Sequence, residues 1–130
     1  MKMFTGIDII EVNRVKEAMI KNLKLKNRIF TNKEIEYCEK KSELTKYQSY
    51  AARFAAKEAF YKAISGLLDK NDTIEWNNIE VIDNQNGRPY IKIINNENIE
   101  KKLEKYENDV SLSHIKEYAT AIVIVNRKED

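Results

Sequence analysis

The chain has 130 residues, 42% of them hydrophobic and 34% charged, and its 23 basic and 21 acidic residues give a formal charge of +2. That balance suits a folded core rather than a disordered or fibrous chain, and a charge so near zero does not by itself mark a nucleic-acid binder. One cysteine, Cys38, and one histidine, His114, exclude an internal disulfide and the usual Cys/His zinc sites.

No apolar run approaches the ~18 residues of a membrane span, and the opening MKMFTGIDII has no cleavable signal pattern, so a single cytoplasmic domain over residues 1–130 is expected. In chain order, MFTGIDIIEV (residues 3–12) is apolar and β-branched and predicts a strand with Phe4, Gly6, Asp8 and Ile10 on one face. Val12, Val15, Ala18 and Met19 fall at helical spacing and predict a first helix. The TNKE stretch, Thr31 to Glu34, reads as a capping box opening a second helix with Ile35 and Cys38 inside. A long helix is expected from about residue 47 to 64. Beyond it the period changes to two. Residues 73–82 predict a strand, Asn86 and Gly87 a hairpin turn, and PYIKII from Pro89 the return strand. A short helix near residues 98–106 and the runs VSLS and YATAIVIV, as a second antiparallel pair, complete the chain. The expected class is α+β: a small, largely antiparallel sheet packed against a long helix, with additional short helices.

Residues 51–63, AARFAAKEAFYKA, combine six alanines with four charges, Arg53, Lys57, Glu58 and Lys62. Glu58 and Lys62 are four apart and meet on one face, where such a pair can do no more than support the helix by ~0.2 to 0.5 kcal/mol. Arg53, Lys57 and Tyr61 follow an adjacent stripe. The alanines let other backbone come close on most sides, however, and charges near packed structure need partners. Asp8, in GIDII, is either an N-terminal cap for the first helix or an inward carboxylate that must be paired or hold a cation. If Asp8 and Glu58 converge, two carboxylates completed by waters and a phosphate match the way Mg²⁺ is held. Lys62 would face the same phosphate, and Arg53 and Lys57 would add positive charge for a polyanionic substrate. Such a constellation is a metal-assisted phosphoryl-transfer site.

Charge is also uneven along the chain. Between Val12 and Arg28 there are six basic residues (Arg14, Lys16, Lys21, Lys24, Lys26, Arg28) against one acid, Glu17, whereas acids outnumber bases five to three between Glu97 and Asp109. The basic segment is a solvated helix face or a docking face for an acidic partner. A nucleic-acid module is disfavoured because the nearest aromatics, Phe4 and Phe30, flank the segment instead of interleaving with it. Glycines at positions 6, 66 and 87 alone do not form the phosphate loop of nucleoside triphosphatases. A non-catalytic interaction domain, needing no metal, is the other alternative.

Four stretches occur in an order that resembles one family: GIDIIEVNR (residues 6–14), ARFAAKEAFYKA (52–63), NGRP (86–89) and SLSHIKEYATA (111–121). The chain is similar over essentially its whole length to holo-acyl-carrier-protein synthases, the small bacterial-type 4′-phosphopantetheinyl transferases. FAAKEA with an upstream GIDI is the specific part of the match; NGRP or SLSH alone would be weak. The resemblance implies Mg²⁺-dependent transfer of phosphopantetheine from coenzyme A to a serine of an apo acyl carrier protein, with release of adenosine 3′,5′-bisphosphate, in fatty acid biosynthesis. Asp8 and Glu58 would be metal ligands, and Lys62 would contact the diphosphate and stabilise or protonate the leaving phosphate. Glu58, directly or through water, would accept the serine proton. Arg53, Ser113 and His114 would lie near the phosphates of coenzyme A, with Gly87 and Pro89 beside the nucleotide. The alternative for His114, secondary to that role, is a hydrogen-bonded histidine at a strand end. Arg14, Lys21, Lys24 and Arg28 would receive an acidic carrier helix, and the enzyme would be a homotrimer with active sites between subunits. One departure stands out: after Ser65 the chain reads GLLDKND where relatives have a more glycine-rich turn.

Overall fold

The computed structural model describes residues 3–129. Strand β1 (Met3–Glu11) alternates as its sequence predicts, with Gly6 buried and Phe4, Asp8 and Ile10 half-buried on the same face, while Ile7 and Ile9 stay exposed. Three short helices follow: α1 (Val12–Lys21), α2 (Leu25–Ile29) and α3 (Asn32–Glu39). The long helix α4 (Glu43–Ile64) leads through an irregular segment to the hairpin of β2 (Ile79–Asp83) and β3 (Pro89–Ile93). Helix α5 (Glu97–Lys102) then precedes β4 (Tyr106–His114) and β5 (Tyr118–Arg127).

Strands β1, β5 and β4 form an antiparallel sheet in that order, with β5 central, and β2–β3 is a separate two-stranded sheet. Helix α4 lies across the inner face of the larger sheet. Its alanines make this possible: Ala55, Ala56, Ala59 and Ala63 are at most 2% exposed and pack with Val110, Val123 and Val125. A second apolar cluster joins Val12, Val15, Met19, Phe30, Cys38 and Tyr50 beneath the short helices. The tightest approach is at Gly6, where an added Cβ would lie 1.8 Å from the Ala59 carbonyl oxygen. Only a residue without a side chain fits there, so glycine sets how near β1 comes to α4.

Four sequence expectations are corrected. Helix α2 adds a fourth helix before the hairpin; its five residues are too few to show a period. Helix α4 begins at Glu43 and not near residue 47, because Ser42 caps it by accepting the Thr45 N–H at 3.4 Å. Residues 73–78 are irregular and then turn at Trp76–Asn78, since the Thr73 carbonyl bonds to Asn96 Nδ2 at 2.9 Å instead of to a strand. Helix α5 opens at Asn96, whose side chain accepts the Ile99 N–H at 3.2 Å, and Tyr106 belongs to β4. The capping box at Thr31 and Glu34 is present as expected, and the Asn86-Gly87 turn forms with Gly87 at φ +77°.

Candidate active site

Asp8, Glu58 and Lys62 come together where β1 crosses α4. Lys62 Nζ donates to Asp8 Oδ1 at 3.3 Å and to the Ile7 carbonyl at 3.0 Å. The Asp8 carboxyl is 12% exposed and its Oδ2 is buried with no hydrogen-bond partner. Burial, and then the facing Asp8 carboxyl, push Glu58 up to about 7, against the opposing pull of Lys62. Thr120 Oγ1 fixes the backbone here by donating to the Asp8 carbonyl at 2.8 Å. Asp8 is therefore not the cap of α1; that position is Glu11, which makes no side-chain capping bond.

Two ionised carboxylates offer only acceptors to one another, and a buried oxygen without a donor is costly. A hard cation with oxygen ligands relieves both problems, so Asp8 and Glu58 fit a metal. Among the described residues no set of three or more His, Cys, Asp or Glu side chains is arranged to hold a metal ion. The remaining positions of such a cation fall to water and to substrate oxygens.

The other two charges of α4 are elsewhere. Lys57, expected to add positive charge for a substrate, is fully buried: its Nζ lies 2.8 Å from Glu34 Oε1 and donates to the Trp76 carbonyl at 3.0 Å and to the Ile79 carbonyl. Glu34 in turn accepts the Thr31 and Val81 N–H groups, each at 2.8 Å. Burial lowers the Lys57 pKa, with Glu34 opposing. The pair ties α4 to α3 and β2 and is unavailable to a ligand.

Arg53 is five residues before Glu58, which places it about 140° around the helix. It is 4% exposed, its guanidinium 4.0 Å above the Tyr37 ring and 3.9 Å from Asp83 Oδ1, and its buried Nε has no partner. It faces a cavity of about 440 Å³ that also takes in Lys41, Gly87, Arg88, Pro89 and His114. Four basic or potentially cationic side chains and an unspent donor suit an anion. His114 lies at the end of β4 with Nδ1 2.9 Å from Gln48 Oε1, so it is a hydrogen-bonded strand-end histidine as well as part of this cavity. Ser113 is exposed and does not line it. Tyr37, Lys41 and Arg88 were missed from sequence. Arg88 alone had a signal, since it shares the NGRP turn with Gly87.

The basic segment forms α1 and α2. Arg14, Lys21, Lys24 and Arg28 are exposed, and of the segment's six basic residues only Lys26 enters an ion pair among the described residues, with Glu39 at 3.2 Å. Beneath them runs a largely apolar groove of about 460 Å³, from Arg14 past Met19, Leu25 and Ile29 to Phe54 and Glu58. Arg14 and Glu58 thus line one groove.

Comparison with known proteins decides the family. The family model described as the 4′-phosphopantetheinyl transferase superfamily matches residues 5–123. A holo-[acyl-carrier-protein] synthase of Ruminiclostridium cellulolyticum is 41% identical over 97% of this chain and 93% of its own. The chain belongs to the holo-acyl-carrier-protein synthases of that superfamily. The synthase of Cytophaga hutchinsonii is 38% identical over 94% of this chain and 95% of its own. Among solved structures, the Bacillus anthracis synthase in complex with CoA (3′,5′-ADP) superposes with a TM-score of 0.76 at 30% identity, covering 96% of each chain. The Chronobacterium ammoniagenes synthase–CoA complex gives 0.80 at 25% identity over 98% of each. The α+β architecture is that of the synthase fold, and the protein is an enzyme of the phosphopantetheinyl transferase class.

Proposed function

We propose that this synthase transfers the 4′-phosphopantetheine group from coenzyme A to a serine hydroxyl of an apo acyl carrier protein. Adenosine 3′,5′-bisphosphate leaves, and the reaction serves fatty acid biosynthesis in the cytoplasm. The observation that carries this reading is the meeting of Asp8, whose Oδ2 has no partner, with Glu58 and Lys62, beside a largely apolar groove that Glu58 shares with Arg14.

The serine Oγ forms a bond to the phosphorus that carries pantetheine, and the bond from that phosphorus to the bridging diphosphate oxygen breaks. Glu58, directly or through a water, accepts the serine proton. Lys62 balances charge that develops on the departing bisphosphate. Asp8 and Glu58 would hold Mg²⁺, which supplies Lewis-acid stabilisation of the phosphoryl oxygens when bound. Arg53, Gly87, Pro89 and His114 receive the nucleotide half of coenzyme A, and Ser113, which lies outside the cavity, takes no part in holding it. Arg14, Lys21, Lys24 and Arg28 dock the acidic carrier.

The two groups of residues occupy different sides of α4, so one chain does not enclose both. The outer face of the larger sheet meanwhile exposes Ile7, Ile9, Tyr118, Ile122 and Ile124, an apolar patch of the kind that marks subunit contacts. We therefore assign a homotrimer packed through this face, with each active site built from two subunits.

The test is the intact mass of an apo carrier protein after incubation with coenzyme A, Mg²⁺ and this protein. Gain of one phosphopantetheine that vanishes with Asp8→Ala, Glu58→Ala or a chelator is the expected result. No gain across several carriers, with a folded enzyme, would overturn the reading.

A further inference from the structure

The segment joining α4 to β2, residues 65–78, has no regular structure beyond two short 3-10 turns, Ser65–Leu67 and Trp76–Asn78. At its hairpin end Lys57 Nζ donates to the Trp76 carbonyl and Asn77 Nδ2 to the Asn27 carbonyl, while the polar contacts of its middle converge on α5 and the turn before it. Lys102 Nζ donates to Asp69 Oδ2 at 2.8 Å and to Asp72 Oδ2. The Asp69 N–H reaches the same Asp72 carboxyl at 2.6 Å, and Asn98 Nδ2 bonds to its Oδ1 at 2.9 Å. Closer to the hairpin, Asn96 Nδ2 donates to the Thr73 carbonyl at 2.9 Å and to Asn78 Oδ1 at 3.2 Å.

The segment carries Trp76, whose ring stands edge-on to Phe54 at 5.5 Å and to Tyr61 at 6.0 Å between centroids. Phe54 is one turn before Glu58 and Tyr61 one turn after it, so the indole lies along the helix face that presents Glu58. Trp76, Tyr61, Leu68, Ile74 and Ile79 line a cavity of about 450 Å³ bounded by the segment.

We propose that Asp69, Asp72 and Lys102 form a clasp that holds this segment shut and so positions Trp76 as a wall beside Glu58. Lys102 touches no reacting group; it is a positioning residue whose effect on transfer runs through the segment. Leu68, Ile74 and Trp76 pack against the core, but a segment without a strand or helix ladder has few backbone hydrogen bonds and opens locally unless side-chain ties restrain it. The functional half of this inference rests on the transferase reading, while its structural half does not.

Trp76 is the protein's single tryptophan, so its fluorescence reports the clasp directly. In Lys102→Met the rate of acrylamide quenching should rise about twofold as local opening increases, with circular dichroism unchanged. The KM for coenzyme A should rise up to about fivefold with a smaller change in kcat, the range that a partly exposed ion pair supports. Lys102→Arg should restore both values. Asp72→Asn should loosen the segment similarly, and the double variant Lys102→Met/Asp72→Asn should be no looser than the worse single one. Wild-type quenching in both Lys102→Met and Asp72→Asn would overturn the clasp. Raised quenching in a protein that transfers nothing even as wild type would support the clasp while removing the transferase reading.

Discussion

Replacing Gly6 by alanine tests whether the contact between β1 and α4 places the carboxylate pair. The new Cβ would sit 1.8 Å from the Ala59 carbonyl oxygen and 3.0 Å from the Ala63 nitrogen, and real Cβ contacts do not fall below 3.0 Å. Relief therefore takes a separation of 3.0 less 1.8, at least 1.2 Å, and both obstacles are helix backbone that cannot rotate away. Asp8 follows on the same face two residues later, at about 6.6 Å along the strand, so it retreats from Glu58 and Lys62 together with Gly6. Overpacking of this kind costs about 1 to 3 kcal/mol, which for a chain of this length lowers Tm by roughly 3 to 12 °C. Displacing a catalytic group by about 1 Å costs on the order of 10²-fold in rate. The assay pairs a thermal melt with the carrier mass shift at several Mg²⁺ concentrations. Expected are a folded protein, a rate loss near that size and a raised Mg²⁺ requirement. A Gly6→Ala protein with wild-type Tm and wild-type transfer would refute the reasoning.

Glu58 gives a pH signature. Its carboxyl is raised in the fold to about 7, so the stability it contributes is fully present below the ordinary value of 4.5 and is lost as pH rises through about 7. Melts without metal should show that loss, Glu58→Gln should flatten it, and added Mg²⁺ should stabilise the wild type more at pH 8 than at pH 5. The buried ion pair of Lys57 and Glu34 predicts that Lys57→Met destabilises by about 3 to 5 kcal/mol in denaturant titrations, because it strands the carboxylate, and that Glu34→Gln in the same chain recovers part of the loss. At the docking face, Arg14→Glu with Lys21→Glu should slow carrier association about tenfold at low salt in stopped-flow traces. The traces should converge with wild type at high salt; rates indifferent to salt would count against electrostatic docking.

Much of this was legible in the residues because it depends on local rules. The alternation of β1, the capping box at Thr31 and Glu34, the alanine-rich helix and the Asn86-Gly87 turn each follow from a few neighbouring side chains. Helix spacing put Glu58 and Lys62 on one face, whereas an aspartate set among isoleucines left open whether Asp8 caps a helix or meets them, and the fold brings it to them. The errors arose where distant chain decides the outcome. Residues 73–76 have the composition of a strand, but Asn96 claims the Thr73 carbonyl. Lys57 looks like a surface charge until Glu34, 23 positions earlier, is folded against it. The cavity around Arg53 draws on α3, α4, the hairpin turn and β4, and no spacing within one element announces such a meeting.

Helix α4 carries Glu58 on one side and Arg53 on another, with no joint between them. The two side chains are therefore geared together. Any roll of this rod about its axis that brings one closer to its ligand swings the other through the same angle, so neither can be adjusted alone. Lys57, locked between them by Glu34, acts as the pin that stops the roll, and the setting of that one pin is felt on both sides of the helix at once.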